Sequence, residues 1–518
     1  MKKIKGLIVL FFILIFLQFI LWVQSPSEVI VSFLKYYSCS IYLFCIVLLL
    51  VVKDVDSLLY TFYVLAFGVF IMSRVFLDAL GFEDAYFYVS TWANDWSYFS
   101  LSIQFEMLNS IIFYLLFSFV GFLSSCLFVD RYNYKMCVKN DSLIFEIRRL
   151  GFFLFISFCV PYLLYLYQAV KFVVENGYLA VYLNESSTTV DNPILRISDD
   201  LCVAGIYLYL STFPIGKKYI LVSCFYIFTL LILLGTGGRS ATFTQVLAFL
   251  VYLGIRGIRV NWRWMLRFVL IGFSLIYVAQ LVNDFRDSGF KDLDQKKDDV
   301  VFTQLIQSFF WQQGTSIQTI GRTIQYVDEV ANGWLYFVGP ITNSFRENRL
   351  MEYLGLGIPN GQTLGTVREG YSWADWLSYK VSPRYYLNGH GMGSSAIAES
   401  YLLGNMFGVM IVGYMCTFII MRFAGRCKKK YSYMYILFYV LPVFFMSPRA
   451  EPLSVITALY RPFCVLFCVQ LIYWFKRKYK LNCLFLIFTL FLGGIFSGVM
   501  FYLFVNDEKK VFNNCSGL

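Results

Sequence analysis

Thirteen stretches of the chain are apolar over roughly the length needed to cross a bilayer, and this recurrence constrains the fold more than any other feature. In hydrocarbon every backbone N–H and C=O has to be satisfied within the segment or its neighbours, so runs of this kind must be helices unless they close a barrel. They lie near Gly6–Val23, Leu34–Val52, Leu58–Leu77, Met107–Val129, Leu150–Tyr167, Ile197–Ile215, Tyr219–Leu234, Ala241–Ile255 and Met265–Val282. After a long polar stretch come Ser400–Met421, Tyr433–Ser447, Leu453–Trp474 and Leu484–Val505. Charged residues are only 14% of the 518, against roughly 25% in soluble domains. The chain is therefore expected to be an all-α polytopic integral membrane protein of about thirteen transmembrane helices.

The first run follows Met-Lys-Lys-Ile-Lys but has no small-x-small cleavage site before Pro26, so it reads as an uncleaved first helix with a cytoplasmic N-terminus. With that orientation the cytoplasmic segments hold 24 of the 43 Lys and Arg but only 5 of the 32 acids. The net charge of +11 is thus an orientation signal of the positive-inside kind and not a nucleic-acid footprint. The same arrangement divides the chain into a membrane bundle of about nine helices (1–282), a large extracytoplasmic loop (283–394) and a bundle of about four helices (395–518). In the loop, Val301, Phe302, Leu305, Ile306, Phe309 and Phe310 recur at helical spacing, which predicts a short amphipathic helix lying on the membrane or capping a cavity. Trp311, Trp334, Trp373 and Trp376 also fall there.

The single histidine, His390, excludes any zinc site that needs two imidazoles, and no CxxC pair offers a thiolate substitute. No metal and no cofactor are expected. Most of the thirteen cysteines lie inside apolar runs, where a thiol behaves as a small hydrophobe.

Candidate chemistry gathers at the outer ends of the helices. Gly235-Thr236-Gly237-Gly238-Arg239-Ser240 joins two short spans. An arginine at the membrane boundary is costly unless it meets an anion, and backbone N–H groups at Gly237 and Gly238 can approach one closely. This reads as a phosphate clamp, against the plainer alternative of a tight hairpin with a snorkelling arginine. The second constellation is Asn388-Gly389-His390-Gly391-Met392-Gly393-Ser394-Ser395-Ala396-Ile397-Ala398-Glu399. Ser394 and Ser395 suit a helix cap, and Glu399 falls one turn into the tenth span, as a general base with His390 as its orienting partner. Arg286 and Arg449 at outer helix ends, and Arg461 inside the twelfth run next to Pro462, are substrate-binding candidates, with acid partners at hand for Arg286 (Asp284, Asp287) and Arg449 (Glu451). Arg74 and Asp78 read as an i,i+4 ion pair.

Many spans, a large late loop, the Gly-Gly-Arg-Ser hairpin and Gly391-x-Gly393-Ser394-Ser395-x-Ile397-Ala398-Glu399-x-Tyr401 leading to Phe407-Gly408 resemble the Wzy-type O-antigen polymerases of the oligosaccharide repeat-unit polymerase family. The likeness in topology covers nearly the whole chain; that in motif covers about thirty residues around Gly237–Thr244 and Gly391–Gly408. Arg322-x10-Gly333 and Arg346-x10-Gly357 both fit an Arg-to-Gly spacing seen in some members, without a choice between them.

The resemblance implies a metal-independent membrane glycosyltransferase acting on undecaprenyl-diphosphate-linked oligosaccharides. It implies a bacterial inner membrane, a periplasmic working face, and a chain-length-regulating co-polymerase as partner. Carried over, Glu399, His390 and Arg239 would be catalytic, and Arg286, Arg449, Arg461, Gly237 and Gly238 would bind substrate. Loop Trp and Tyr would stack on sugar faces. An O-antigen ligase, another glycosyltransferase using a lipid-phosphate sugar, and a lipid-linked oligosaccharide flippase remain alternatives.

Overall fold

The computed structural model describes residues 2–51, 55–82, 85–94, 96–127, 142–177, 180–183, 192–237, 239–257, 302–346, 356–359, 361–427 and 430–479. Eleven of the thirteen apolar runs lie on described helices; those at 265–282 and 484–505 are outside the described residues. The first part of the chain forms α1 (Lys2–Trp22), α2 (Glu28–Val51), α3 (Val55–Phe67), α4 (Ser73–Ala79), α5 (Leu101–Leu127), α6 (Ser142–Asn176), α7 (Ala180–Leu183), α8 (Pro193–Ser211), α9 (Lys217–Leu234) and α10 (Arg239–Ile255). Among the described residues eight helical segments are long and apolar enough to cross a membrane, with two shorter apolar helices, Gly6–Trp22 and Ser240–Ile255, beside them.

Within the segment read as a large loop with short amphipathic helices, the described residues form α11 (Phe302–Gln313), α12 (Ser316–Tyr326), α13 (Gly333–Arg346), α14 (Leu364–Glu369), α15 (Trp373–Val381) and α16 (Pro383–Leu387). The chain then forms α17 (Ala396–Ala424), α18 (Tyr431–Met446), α19 (Ser454–Thr457) and α20 (Tyr460–Tyr479). The amphipathic pattern at 301–310 corresponds to α11. Two short strands, β1 (Val89–Ser90) and β2 (Ser97–Tyr98), pair antiparallel with Val89 opposite Tyr98.

The bundle is organised on α5, which packs against α1, α2 and most extensively α17. Close approach is possible because Gly121 of α5 lies against the Tyr414 carbonyl, while Gly413 of α17 lies against Tyr114. With little hydrophobic drive between helices in lipid, contact of this kind and interhelical hydrogen bonds do the holding. Ser118 and Thr417 hydroxyls meet at 2.8 Å, Tyr60 reaches Ser118 at 2.9 Å, and Tyr63 reaches Tyr114 at 3.0 Å. The helical cap rests on one end of this core: α11 packs on α4, α12 on α5 and α17, and α13 on α17.

Several sequence expectations change. The third run is not one α-helix, since a π-helical turn at Gly68–Met72 separates α3 from α4. The twelfth is divided into α19 and α20, and Arg461 stands in the first turn of α20, within the apolar segment Ser454–Trp474 that is long enough to cross a membrane. The helices of the fifth and sixth apolar runs extend beyond them, α6 on to Asn176 and α8 back to Pro193. Trp373 is wholly buried, with its indole N–H on Thr323 Oγ1 at 2.8 Å and its ring stacked on Trp376 at 4.8 Å. It forms the core of the cap and cannot present a face to a sugar.

Candidate functional site

The tenth run is broken. α17 starts at Ala396 with Ser395 as its N-cap, whose hydroxyl accepts from the Ile397 N–H at 3.3 Å. At Gly404 and Asn405 the backbone leaves the helical region, and Asn405 adopts φ +50°. Ser400 and Gly408 flank this break symmetrically, and a Cβ on Gly408 would collide with the Ser400 carbonyl. In a straight helix residues eight apart lie about 12 Å apart along the axis, so this contact means the two pieces fold back on each other. Glu399 therefore sits on a short arm folded beside the span, not on a helix continuing it. Gly408 makes the close contact with the Ser400 carbonyl, which is the physical reason that a glycine is needed there.

Glu399 is completely buried on this arm. Ser394 Oγ donates to its Oε1 at 2.6 Å, while Oε2 is buried without a hydrogen-bond partner. Glu451, just past the end of α18, lies near enough for its charge to act on Glu399, and Ser454 Oγ donates to Glu451 Oε2 at 2.8 Å. A buried carboxyl oriented by one hydroxyl and with one oxygen uncommitted is suited to taking a proton. Ser394 thus orients Glu399 from one side. The His390 ring lies parallel to Tyr385, 3.7 Å between centroids and 5° between planes.

Two guanidinium groups meet the end of α11. Arg449, in the 447–449 turn, donates from Nη1 to Gln313 Oε1 at 3.0 Å. Arg74 is buried, donates from Nε to the Trp311 carbonyl at 3.0 Å, and lies 3.6 Å from the centre of the Trp311 ring. The two cations are close enough to act on each other electrostatically. Their shared attachment to the C-terminal turn of α11 is favourable, because exposed carbonyls there attract positive charge. The expected Arg74–Asp78 pair does not form: Asp78 takes Lys35 Nζ at 2.9 Å and the Phe87 N–H at 3.3 Å. Local spacing on the helix gave way to partners brought in by the fold. Arg74 was missed as a site candidate for that reason, although an arginine closing a span was a visible signal.

The remaining candidates are more scattered. Gly235 to Gly237 form a tight turn after α9, Gly237 has φ +81°, and Arg239 opens α10. Gly238, Arg286 and the Arg239 side chain lie outside the described residues. Arg461 pairs with Asp200 of α8 at 3.0 Å, both more than half exposed, and is tied to that helix and not to the Glu399 arm. Among the described residues no cluster of His, Cys, Asp and Glu could hold a metal.

Residues 7–478 match the family model described as O-antigen polysaccharide polymerase Wzy. The chain belongs to this family. It is also 28% identical over 180 residues to Protein CapE of Staphylococcus aureus, an alignment covering 34% of each chain. The chain thus spans about a third of that curated relative. No solved structure matches.

Within this family frame the two Arg-x10-Gly spacings have structural explanations. Arg346 donates to the carbonyls of Leu356 and Glu369, at 3.4 and 2.7 Å, while Ile358 N–H returns to the Arg346 carbonyl at 3.3 Å. The spacing there closes a loop beside Gly357. Arg322 donates to Gln325 Oε1 at 2.9 Å and Ser97 Oγ at 2.5 Å, fastening the strand hairpin to α12. Gly333 lets the start of α13 approach the Leu402 carbonyl next to the helix break.

Proposed function

We propose that this chain polymerises undecaprenyl-diphosphate-linked oligosaccharide repeat units into surface polysaccharide on the outer face of the cytoplasmic membrane. The match to the Wzy family across residues 7–478 carries this reading. In the proposed reaction an acceptor hydroxyl attacks the anomeric carbon of the donor glycan. The new C–O bond forms as the bond from that carbon to the diphosphate oxygen breaks, and the diphosphate leaves with the electron pair.

Glu399 receives the hydroxyl proton on its uncommitted Oε2, while Ser394 holds the other oxygen. Negative charge grows on the diphosphate, so guanidinium groups fixed beforehand stabilise the transition state. Arg449 is suited to that role, with Arg74 fixing the same end of α11. Arg239 and Arg286 would complete the clamp, with Gly237 and Gly238 allowing close approach. Arg461, held by Asp200, is less suited. The outer orientation is supported by the charge distribution, and a chain-length-regulating co-polymerase is the partner that the family implies.

The test is deletion of the chromosomal gene followed by complementation. Wild type should restore a polymer ladder; Glu399→Gln and Arg449→Ala, at equal membrane levels, should leave single lipid-linked units. Accumulation of full-length polymer on the lipid carrier in the deletion strain would point to a ligase instead. Absence of any lipid-linked unit outside the membrane would point to a flippase.

A further inference from the structure

The strand hairpin and the approach to α17 meet at a second set of side chains. β1 and β2 are pinned from α12: Gln318 Nε2 donates to the Val89 carbonyl at 3.0 Å and to Thr91 Oγ1 at 3.1 Å, and Arg322 holds Ser97. This anchorage fixes the turn between the strands, where Trp92 lies edge-on to Tyr385, 5.0 Å between centroids and 81° between planes. Tyr385 in turn carries the His390 ring on its face. Next to His390 along the chain, Gly391 lies beside the Gln362 side-chain nitrogen.

Two polar atoms here have no hydrogen-bond partner among the described residues: the Trp92 indole nitrogen and the Gln362 side-chain oxygen. Such atoms are rare in native interiors, and each calls for an explanation. The first can only donate and the second can only accept. A phosphate offers acceptors alone and a prenyl chain offers neither, whereas each hydroxyl of a sugar both donates and accepts. Ala93, next to Trp92, is held at φ 60°, ψ 29°, a left-handed conformation that a non-glycine residue keeps only where its surroundings impose it. Such strain concentrates at ligand clamps.

We propose that Trp92, Tyr385, His390 and Gln362 form a subsite for a neutral sugar ring, with the Trp92 N–H donating to one hydroxyl and the Gln362 oxygen accepting from another. Aromatic faces and planar amides together fit the apolar C–H face and polar rim of such a ring. His390 is part of the platform and not the base. Ser394 follows it by four positions, at most about 14 Å of extended chain, so a short oligosaccharide can lie between this subsite and Glu399. The inference rests on the polymerase reading and says which part of the substrate these side chains take.

The test uses the full chain in lipid nanodiscs and, as probe, the repeat-unit oligosaccharide released by mild acid from the lipid-linked intermediates of the same cells. Trp92→Phe keeps the ring and removes the N–H; Gln362→Leu keeps the bulk and removes the amide. Each should weaken binding of this phosphate-free probe about tenfold, the effect of leaving one buried polar partner unsatisfied. Both should leave binding of inorganic pyrophosphate unchanged. Equal oligosaccharide affinity in wild type and Trp92→Phe would overturn the subsite, even if Gln362→Leu failed to insert. A wild-type chain that binds pyrophosphate but no oligosaccharide would overturn it as well. The polymerase reading fails separately, if deletion of the gene leaves the polymer ladder intact.

Discussion

The guanidinium of Arg74 lies 3.6 Å from the centre of the Trp311 indole and donates to the carbonyl of that same residue at 3.0 Å. One side chain thus fixes both the backbone and the ring at the end of α11, the helix whose last residue also receives Arg449. The planar guanidinium stacks and hydrogen-bonds at once, which an ammonium cannot do. Arg74→Lys should therefore lower stability by about 2–3 kcal/mol, read as a lower melting temperature of the purified protein. Asp78→Asn and Lys35→Met should be non-additive with each other, while Asp78→Asn should add to Arg74→Lys. Coupling between Arg74 and Asp78 in that double-mutant cycle would restore the i,i+4 pair.

The difference between Arg74 and Arg449 shows what was legible in the sequence. Arg449 was visible as a candidate because it stands in a short turn between apolar runs. Eleven of the apolar runs lie on described helices near the expected places, since burial in lipid leaves the backbone few alternatives. Partners were not legible. Arg74 and Asp78 have the right local spacing, yet each is claimed by a residue far along the chain. Nor did hydropathy reveal the break at Gly404 and Asn405, because both halves of α17 are apolar and a change of direction leaves no periodic trace. The single orphan oxygen of Glu399 likewise depends on Ser394 being turned inward, which no spacing rule predicts.

Glu399→Gln retains the shape of the side chain and removes its capacity to take a proton. The rate of polymer formation from purified lipid-linked units should fall by roughly two to four decades. Ser394→Ala, which only frees the carboxyl to rotate, should cost about one decade by loss of orientation. A Glu399→Gln enzyme within threefold of wild type would remove Glu399 as the base.

Gly408→Ala tests the folded-back arm. The added methyl meets the Ser400 carbonyl, so the two halves of α17 must separate. Overpacking of this sort should lower stability by about 1–3 kcal/mol and displace Glu399, shortening the polymer further than the stability loss accounts for. Asn405→Gly should be tolerated, since φ +50° suits glycine, whereas Asn405→Val should not. Melting temperature and polymer length measured together separate the two effects.

The cap should loosen as pH rises. Burial pushes the Asp375 carboxyl above the usual carboxylate range, opposed in part by the Ser372 and Tyr386 hydroxyls; Tyr386 donates to it at 3.1 Å. With the folded value the higher one, the folded cap binds this proton more tightly than the unfolded chain. Its contribution is complete below the unfolded value, roughly 4, and is lost as pH rises through the raised folded value. Melting of the cap, followed by emission from Trp373 and Trp376 beside it, should occur at lower temperature as pH rises through that value. Asp375→Asn should flatten the dependence. A melting temperature that climbs with pH over the same range, and is unaffected by Asp375→Asn, would contradict this assignment.

Arg239 carries the sharpest test of the proposed phosphate clamp. It opens α10, two residues after the turn at Gly235–Gly237, and a helix N-terminus favours an anion. Removal of one charge-assisted stabiliser of the transition state is worth about 3–4 kcal/mol, or roughly two to three decades in rate. Arg239→Ala should therefore abolish detectable polymer while membrane insertion is unchanged. Arg239→Lys should restore activity only in part, since it keeps the charge but not the planar fork that grips two phosphate oxygens. A clamp also predicts weaker binding of inorganic pyrophosphate by Arg239→Ala and by Arg449→Ala, with the double variant weaker still. Normal-length polymer from Arg239→Ala cells, at equal protein level, would leave Gly235–Arg239 a plain hairpin and place the whole electrostatic demand on Arg449 and its neighbours.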